Sequence, residues 1–549
     1  MRTTFRTAFP LVAGVLALLS ACETTLDLGG NLHNGTGTGG SGGPETTATG
    51  SIGGCAPQTT APCYDGPAKT EGVGLCKAGI KACTADGMTY GPCVGGVIPK
   101  PEDCATPVDE DCDGLAPACK GTPLWSKRTG DAADQYSIGV AADSAGNVLV
   151  TGYFAGKMDL GGCPLPLSSA GGTDLFVAKL DPAGACLWSK NSGDANSQFG
   201  NSVTVDASGN VLVTGYFYGQ MDLGGCPLSS AGGTDLFVAK LDPSGACLWS
   251  KSAGDTLNQH GDGVAVDDAG NVVITGGFAG VLDFGGCPLT SAGGNDLFVA
   301  KLDPSGACLW SKRAGNAFTQ PPGGAAVDSA GNVLVTGGFF GALDFGGCPV
   351  SSSGGVDLFV AKLNPSGACL WSKSAGDAVN QYGNGVAVDG AGNVLVTGGF
   401  SGALDLGGCP LSSSGGVDLF VSKLDPSGTC LWSKSAGDGK NIQYTGGIAV
   451  DNTGNILVVG SYKGPLDFGG GSLVSAGAAD IFLVKLDAAG GHVWSRRAGS
   501  PSDDTGKGVT VDGSGNVLMT GYFTGTADFS PAPLVSEGGI DIFLAKFGP

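Results

Sequence analysis

From Trp125 to the end of the chain, short apolar runs alternate with polar turns in a fixed order. One unit, Trp249 to Leu309, reads WSKSAGDTLNQHGDGVAVDDAGNVVITGGFAGVLDFGGCPLTSAGGNDLFVAKLDPSGACL. It holds four strand-like runs. GVAVD passes through an Asp-x-x-Gly-Asn turn into NVVITGGF, and DLFVAKLD passes through Asp-Pro-Ser-Gly into ACLWSK. Gly and Asp belong in such turns because hairpins need positive φ or side-chain capping there. NVLVTG and DLFVAKL are apolar on both faces, which suits strands packed between two neighbouring sheets. No stretch of the units has a helical period.

The unit recurs. Its tryptophans fall at 125, 188, 249, 310, 371, 432 and 494, in steps of 61 to 63 residues. Four antiparallel strands per unit and seven units predict an all-β fold, a seven-bladed β-propeller of four-stranded blades over residues 121–549. The array opens on a fourth strand, PLWSK, and ends on a third, DIFLAKFGP. The first residues can therefore complete the last blade and remove open sheet edges. These units resemble the bacterial seven-bladed-propeller (SBBP-type) repeats with G.....VD..GN.Y.TG, DFGG and D.FVAKLD..G motifs, and the likeness covers all seven.

Five units pair a GGC cysteine (Cys163, Cys226, Cys287, Cys348, Cys409) with the cysteine of CLWSK (Cys186, Cys247, Cys308, Cys369, Cys430). In the sixth and seventh both members are lost together: GGG with HVW, and DFSPAP with PLWSK. Joint loss and the absence of orphans predict five disulfides within units. Each closes a loop of about 20 residues, which can contribute roughly 3 kcal/mol.

Ahead of the array lie three further segments. Residues 1–21 read as a lipoprotein signal peptide: Arg2 and Arg6, an apolar run too short to span a membrane, then Leu-Leu-Ser-Ala-Cys. The ending resembles the bacterial lipobox, which implies cleavage before Cys22 and its acylation, and hence membrane attachment through lipid. Glu23 follows in place of the Asp that favours inner-membrane retention, so an outer-membrane lipoprotein on its periplasmic or cell-surface face is expected. Residues 22–54 form a Gly/Ser/Thr-rich tether that cannot build a core. Residues 55–120 carry eight cysteines and few large apolar residues, so disulfides stand in for a core, with connectivity open. Their Cys, Gly and acidic order resembles a Cys-rich module of myxobacterial surface proteins. Within it Asp109, Asp111 and Asp113 have the alternate spacing of a calcium loop, yet Lys120 occupies the twelfth position where a bidentate Glu belongs. Calcium is the one cofactor suggested, and a solvated acidic turn is the competing reading.

Charge narrows the partners. With 49 acidic against 28 basic residues the net charge is −21, which disfavours nucleic acid. The closed array is expected to be a monomer. The three histidines show no metal spacing, and no nucleophile elbow, phosphate loop or dinucleotide fingerprint stands in its required context. An enzyme is therefore not expected, although a propeller can bring together acids that sequence does not pair.

Aspartates present in every unit read as structural: the DFGG-type Asp159, Asp222, Asp283, Asp344, Asp405, Asp467 and Asp528, the residues opening strand three (Asp174 to Asp541), and the turn residues (Asp143 to Asp512). The loop between units varies most, and six of seven copies keep a glutamine. These glutamines and their neighbours form a candidate binding ring: Gln135 and Tyr136, Gln198 and Phe199, Gln259 and His260, Gln320, Gln381 and Tyr382, Gln443 and Tyr444. Amides and aromatics suit a protein or glycan ligand, and closure of the interblade loops is the competing reading. The sequence thus points to a surface lipoprotein with a rigid binding platform. An envelope polysaccharide hydrolase or lyase, and a purely structural envelope protein, are the alternatives.

Overall fold

The computed structural model describes residues 55–100, 112 and 121–549, apart from 68, 164, 165, 530 and 531. Within residues 55–63 and 79–95, a two-stranded sheet of Thr60–Cys63 and Gly79–Ala82 is tied by Cys55–Cys83 and Cys63–Cys93. A third disulfide, Cys76–Cys112, belongs to the second unit, which runs over 64–78 and 96–549. Cys22 and the acidic triplet Asp109, Asp111 and Asp113 lie outside the described residues, as do Cys104 and Cys119.

Residues 123–547 form seven four-stranded antiparallel sheets. Blade 1 consists of Gln135–Ala142, Val148–Phe154, Asp174–Leu180 and Cys186–Ser192, paired in that order. A two-stranded ribbon, Lys157–Met158 with Leu167–Ser168, projects between its second and third strands. Blades 2 to 6 repeat this plan. Blade 7 takes three strands from the end of the array, Thr505–Val511, Val517–Phe523 and Asp541–Phe547, and its fourth from Pro123–Thr129. Trp125 stands opposite Lys546 and Thr129 opposite Ile542, so the first residues of the array close the ring.

Burial explains the two-sided apolar runs. All seven third strands are buried along their whole length. Each sheet packs between two others, so both faces of its middle strands are covered. Leu149, Leu175 and Val177 of blade 1 join one cluster with Val211, Val213 and Phe237 of blade 2, and the pattern recurs around the ring.

Each turn aspartate does more than cap. Asp143 Oδ1 accepts the N–H groups of Ala145 and Asn147, and its Oδ2 takes Asn147 Nδ2 and Lys179 Nζ at 2.8 and 2.9 Å. Lys179 is the lysine of DLFVAKL, 5% exposed. The same buried pair occurs in all seven blades, through to Lys546–Asp512 at 2.9 Å. Burial opposes ionisation of Asp143, but Asn147 and Lys179 hold its carboxyl below the usual range.

The tryptophans latch successive blades. Trp188 Nε1 donates to Pro243 O in the next blade's third-to-fourth turn at 3.1 Å, and Trp125, Trp249, Trp310, Trp371 and Trp432 do likewise. The five expected disulfides are present, Cys163–Cys186, Cys226–Cys247, Cys287–Cys308, Cys348–Cys369 and Cys409–Cys430, each joining a ribbon to the start of a fourth strand.

Candidate binding face and central channel

Antiparallel pairing puts the two tight turns of every blade at one end, and the ribbons and interblade loops at the other. Each glutamine of the candidate ring stands where an interblade loop enters a first strand, or one or two residues before it. Alternate residues of a strand point to opposite sides. The glutamine therefore turns into the interface between blades while its neighbour turns outward.

All six glutamines are 0–1% exposed. Gln135 Nε2 donates to Asp131 Oδ1 and Ala155 O at 2.9 and 3.1 Å, and Gln198 Nε2 to Asp194 Oδ1 and Tyr218 O at 3.1 and 2.9 Å. Gln259, Gln381 and Gln443 repeat this, and Gln320 uses Asn316 Oδ1. These amides shape the loops and present nothing to a ligand, so the amide half of the expected ring is corrected by its burial. Across each interface they meet the aspartate that opens the neighbouring third strand. Gly193 leaves room for that meeting: a Cβ there would lie 2.3 Å from Asp174 Oδ1 and 2.4 Å from Gln198 Oε1. Burial pushes the carboxyls of Asp174, Asp235, Asp357 and Asp541 upward, while Asp174 Oδ2 still accepts Ala170 N–H at 3.1 Å.

The aromatic half of the ring stays accessible, and second strands add to it. Tyr522 meets Tyr136 edge-on at 4.9 Å between centroids, and Tyr136 stacks on Tyr153 at 4.9 Å. Tyr153 meets Phe199 at 4.7 Å, Phe199 stacks on Tyr216 at 4.6 Å, and Tyr216 approaches His260 at 6.3 Å. Six half-buried rings thus run unbroken across blades 7, 1, 2 and 3. Opposite them, the second strands carry Gly338, Gly399 and Ser461 in place of a ring. Tyr382 lies over Gly338, and Tyr444 is 57% exposed. Tyr153, Tyr216 and Tyr522 were missing from the expected ring. Their signal is TGYF in three units against TGGF in three others.

His260 ends the arc. Its Nδ1 lies 2.7 Å from Asp262 Oδ2. Burial works against the imidazolium, but Asp262 holds the histidine above its usual range. The DFGG-type aspartates lie in ribbon tips: Asp222 Oδ1 accepts the N–H groups of Gly224, Gly225 and Cys226 at 2.7–2.9 Å. Among the described residues no group of three or more His, Cys, Asp or Glu is placed to hold a metal.

Inside the arc the seven first strands surround a channel of about 330 Å³. Its wall includes Ile138, Asn201, Asp262, Asn384 and Lys507. Asn201 Nδ2 donates to Gly261 O at 2.9 Å and Asn384 Nδ2 to Thr445 O at 3.0 Å, which fixes both amides.

The architecture is that of a seven-bladed β-propeller, and comparison with known proteins agrees. Residues 493–528 match the SBBP β-propeller repeat family. A regulatory protein of Caulobacter vibrioides, FlaEY, is 28% identical over 408 residues, covering 68% of this chain and 41% of its own. An uncharacterised WD repeat-containing protein of Acanthamoeba polyphaga mimivirus is 24% identical over 430 residues, covering 63% of this chain and 31% of its own. The chain thus spans less than half the length of these relatives. Among solved structures, an ulvan lyase representing a new polysaccharide lyase family has a TM-score of 0.40 at 10% identity, covering 75% of this chain and 97% of that one. Virginiamycin B lyase from Staphylococcus aureus has a TM-score of 0.39 at 8% identity, covering 77% and 98%. Likenesses of this size transfer no catalytic residue.

Proposed function

We propose that this protein is a lipid-anchored lipoprotein of the outer membrane whose propeller is a rigid, non-enzymatic platform, and that its looped face binds a glycan or protein. The observation that carries the reading is the unbroken aromatic arc from Tyr522 to His260. Rings with one side packed and one side open offer area at little entropic cost, and loops on a rigid scaffold are where binding resides. The arc interrupts an otherwise repeated pattern, as recognition of an asymmetric ligand requires.

The test is capture from envelope extract by the full chain carrying Cys22→Ser, beside a second bait with Tyr153→Ser and Tyr216→Ser. A partner held by the first bait and lost from the second supports the platform. Equal capture by both removes the arc from the proposal, and no partner for either favours a purely structural role. Acylation is tested separately: incorporation of labelled palmitate should disappear with Cys22→Ser.

One observation favours a second reading. The His260–Asp262 pair occurs in a single blade and has the form of a base with its orienting carboxylate. Polysaccharide cleavage abolished by His260→Ala would establish a hydrolase or lyase instead.

A further inference from the structure

A scaffold of seven similar blades can tell the two ends of a ligand apart only where its blades differ. One such place lies within the channel. Each first strand breaks register at one point: one residue is skipped between Ser137 and Gly139 in blade 1, Gly200 and Ser202 in blade 2, Gly261 and Gly263 in blade 3, and likewise in blades 5 and 7, and two are skipped between Pro322 and Ala325 in blade 4 and between Thr445 and Ile448 in blade 6. A bulge inserts one residue without a partner and re-aims its side chain. At this position blades 1 to 7 carry isoleucine, asparagine, aspartate, glycine, asparagine, glycine and lysine. The residue that follows is glycine in six blades and serine in one, whereas this one is charged or amide-bearing in four blades.

The charges are few and separated. Asp262 in blade 3 is the acid of the channel wall, and Lys507 in blade 7 is its base. Two blades stand between them one way round the ring and three the other, so they face each other across the lumen. Each is supported from the arc above. His260 Nδ1 holds Asp262, and Lys507 Nζ stands 5.7 Å from the centroid of Tyr522. Asn201 beside Asp262, and Asn384 on the far wall, add fixed amides. Ile138 supplies an apolar stretch of wall.

We propose that the channel binds a small zwitterion, an amino acid or short peptide whose ammonium meets Asp262 and whose carboxylate meets Lys507. A lumen of about 330 Å³ sits at the small end of ligand pockets, which fits such a molecule. Opposite charges on facing walls favour a ligand that carries both signs over an ion of either single sign. The proposal does not rest on a glycan or protein ligand at the looped face, although His260 and Tyr522 border both sites.

The experiment is isothermal titration of the full chain carrying Cys22→Ser with ω-amino acids of increasing length, from glycine to aminohexanoate. Hexanoate and hexylamine serve as single-charge controls. One length should bind at millimolar concentration or tighter, and each control should bind about tenfold more weakly, the scale of one charged hydrogen bond. Asp262→Asn and Lys507→Gln should each weaken binding by about the same factor. The exchange variant, Asp262→Lys with Lys507→Asp, should regain affinity and guards against a fold defect in the single variants. No binding at any length, equal binding of either control, or unchanged affinity in both charge variants would overturn the proposal.

Discussion

The interfaces around blades 1 to 5 and the seam between blades 6 and 7 are built to one plan, with different parts. In the first region a disulfide ties each ribbon to its fourth strand, a glutamine meets the neighbouring aspartate, and a tryptophan reaches the next blade's turn. At the seam all three parts change. The ribbon of blade 6 has Gly471 at φ +104° and Gly470 facing His492, with no cysteine. Asp504 replaces the glutamine opposite Asp480, and Trp494 Nε1 has no hydrogen-bond partner among the described residues. A cavity of about 300 Å³ opens there between Ile481, Leu483, Ala498, Met519, Phe529 and Phe547, where the corresponding crevice between blades 7 and 1 holds about 10 Å³. Phe529 leans on Phe543 at 4.5 Å. The ring is therefore not closed by seven equivalent interfaces. Strong interfaces carry a weak one beside the blade that joins the two ends of the array.

The buried lysine–aspartate pair is common to both regions. Lys301→Met and Lys485→Met each strand a buried aspartate, with lysine side chains 3% and 4% exposed. Each should cost about 3–5 kcal/mol by denaturant unfolding. Equal costs in blades 3 and 6 would show that the pair acts independently of the disulfide beside it. A much smaller cost in blade 6 would show that the seam has already yielded.

Removing one disulfide comes next. Cys287→Ala with Cys308→Ala should lower stability by about 3 kcal/mol, since 21 residues separate the two cysteines. Hydrogen exchange at Thr505–Val511 should be unchanged, because blade 7 has no such bond to lose. Faster exchange there would mean that the blades unfold as one unit.

The seam itself can be repaired. Burial first, and then the charge of Asp480, pushes Asp504 up to about 6, although it accepts N–H bonds from Ser500 and Thr524. Its pKa is higher folded than unfolded, so the folded chain holds the proton more tightly. Stability is therefore greatest below the unfolded value near 4, falls as pH rises from 4 to 6, and stays low above. Ser500→Asp with Asp504→Gln restores the arrangement of the other blades. It should raise stability at pH 7 by about 2–3 kcal/mol and flatten the profile between pH 4 and 6. An unchanged profile would place the titrating group elsewhere.

Much of this was legible in the sequence, for a physical reason. Seven copies act as an internal alignment, so period, strand content, the borrowed closing strand and the jointly lost cysteines could be read by comparing repeats. What could not be read depends on register and side-chain direction. The lysine of DLFVAKL lies far along the chain from its turn aspartate, and only the pairing of Asp143, Val148–Phe154 and Lys179 brings them together. Gln135 and Tyr136 are adjacent in sequence but leave the strand on opposite sides, which split the expected ring into a buried half and an accessible half. Asp262 and Lys507 sit on bulges, and a bulge changes no spacing that a repeat alignment would show.

The smallest effect separates the regions by one hydrogen bond. Trp249→Phe and Trp494→Phe make the same truncation, but of the two only Trp249 Nε1 has a partner, Pro304 O at 3.1 Å in the next blade. The blade after Trp494 has no continuous turn to offer. Gly121 and Pro549 meet there instead, with Gly121 N–H donating to Pro549 O at 3.3 Å, and Gly121 packs against the indole as Gly306 packs against Trp249. Trp249→Phe should therefore cost about 1 kcal/mol more than Trp494→Phe in thermal or denaturant unfolding. Equal costs would mean that packing alone sets the latch, and that the closing blade lacks nothing the others have at this position.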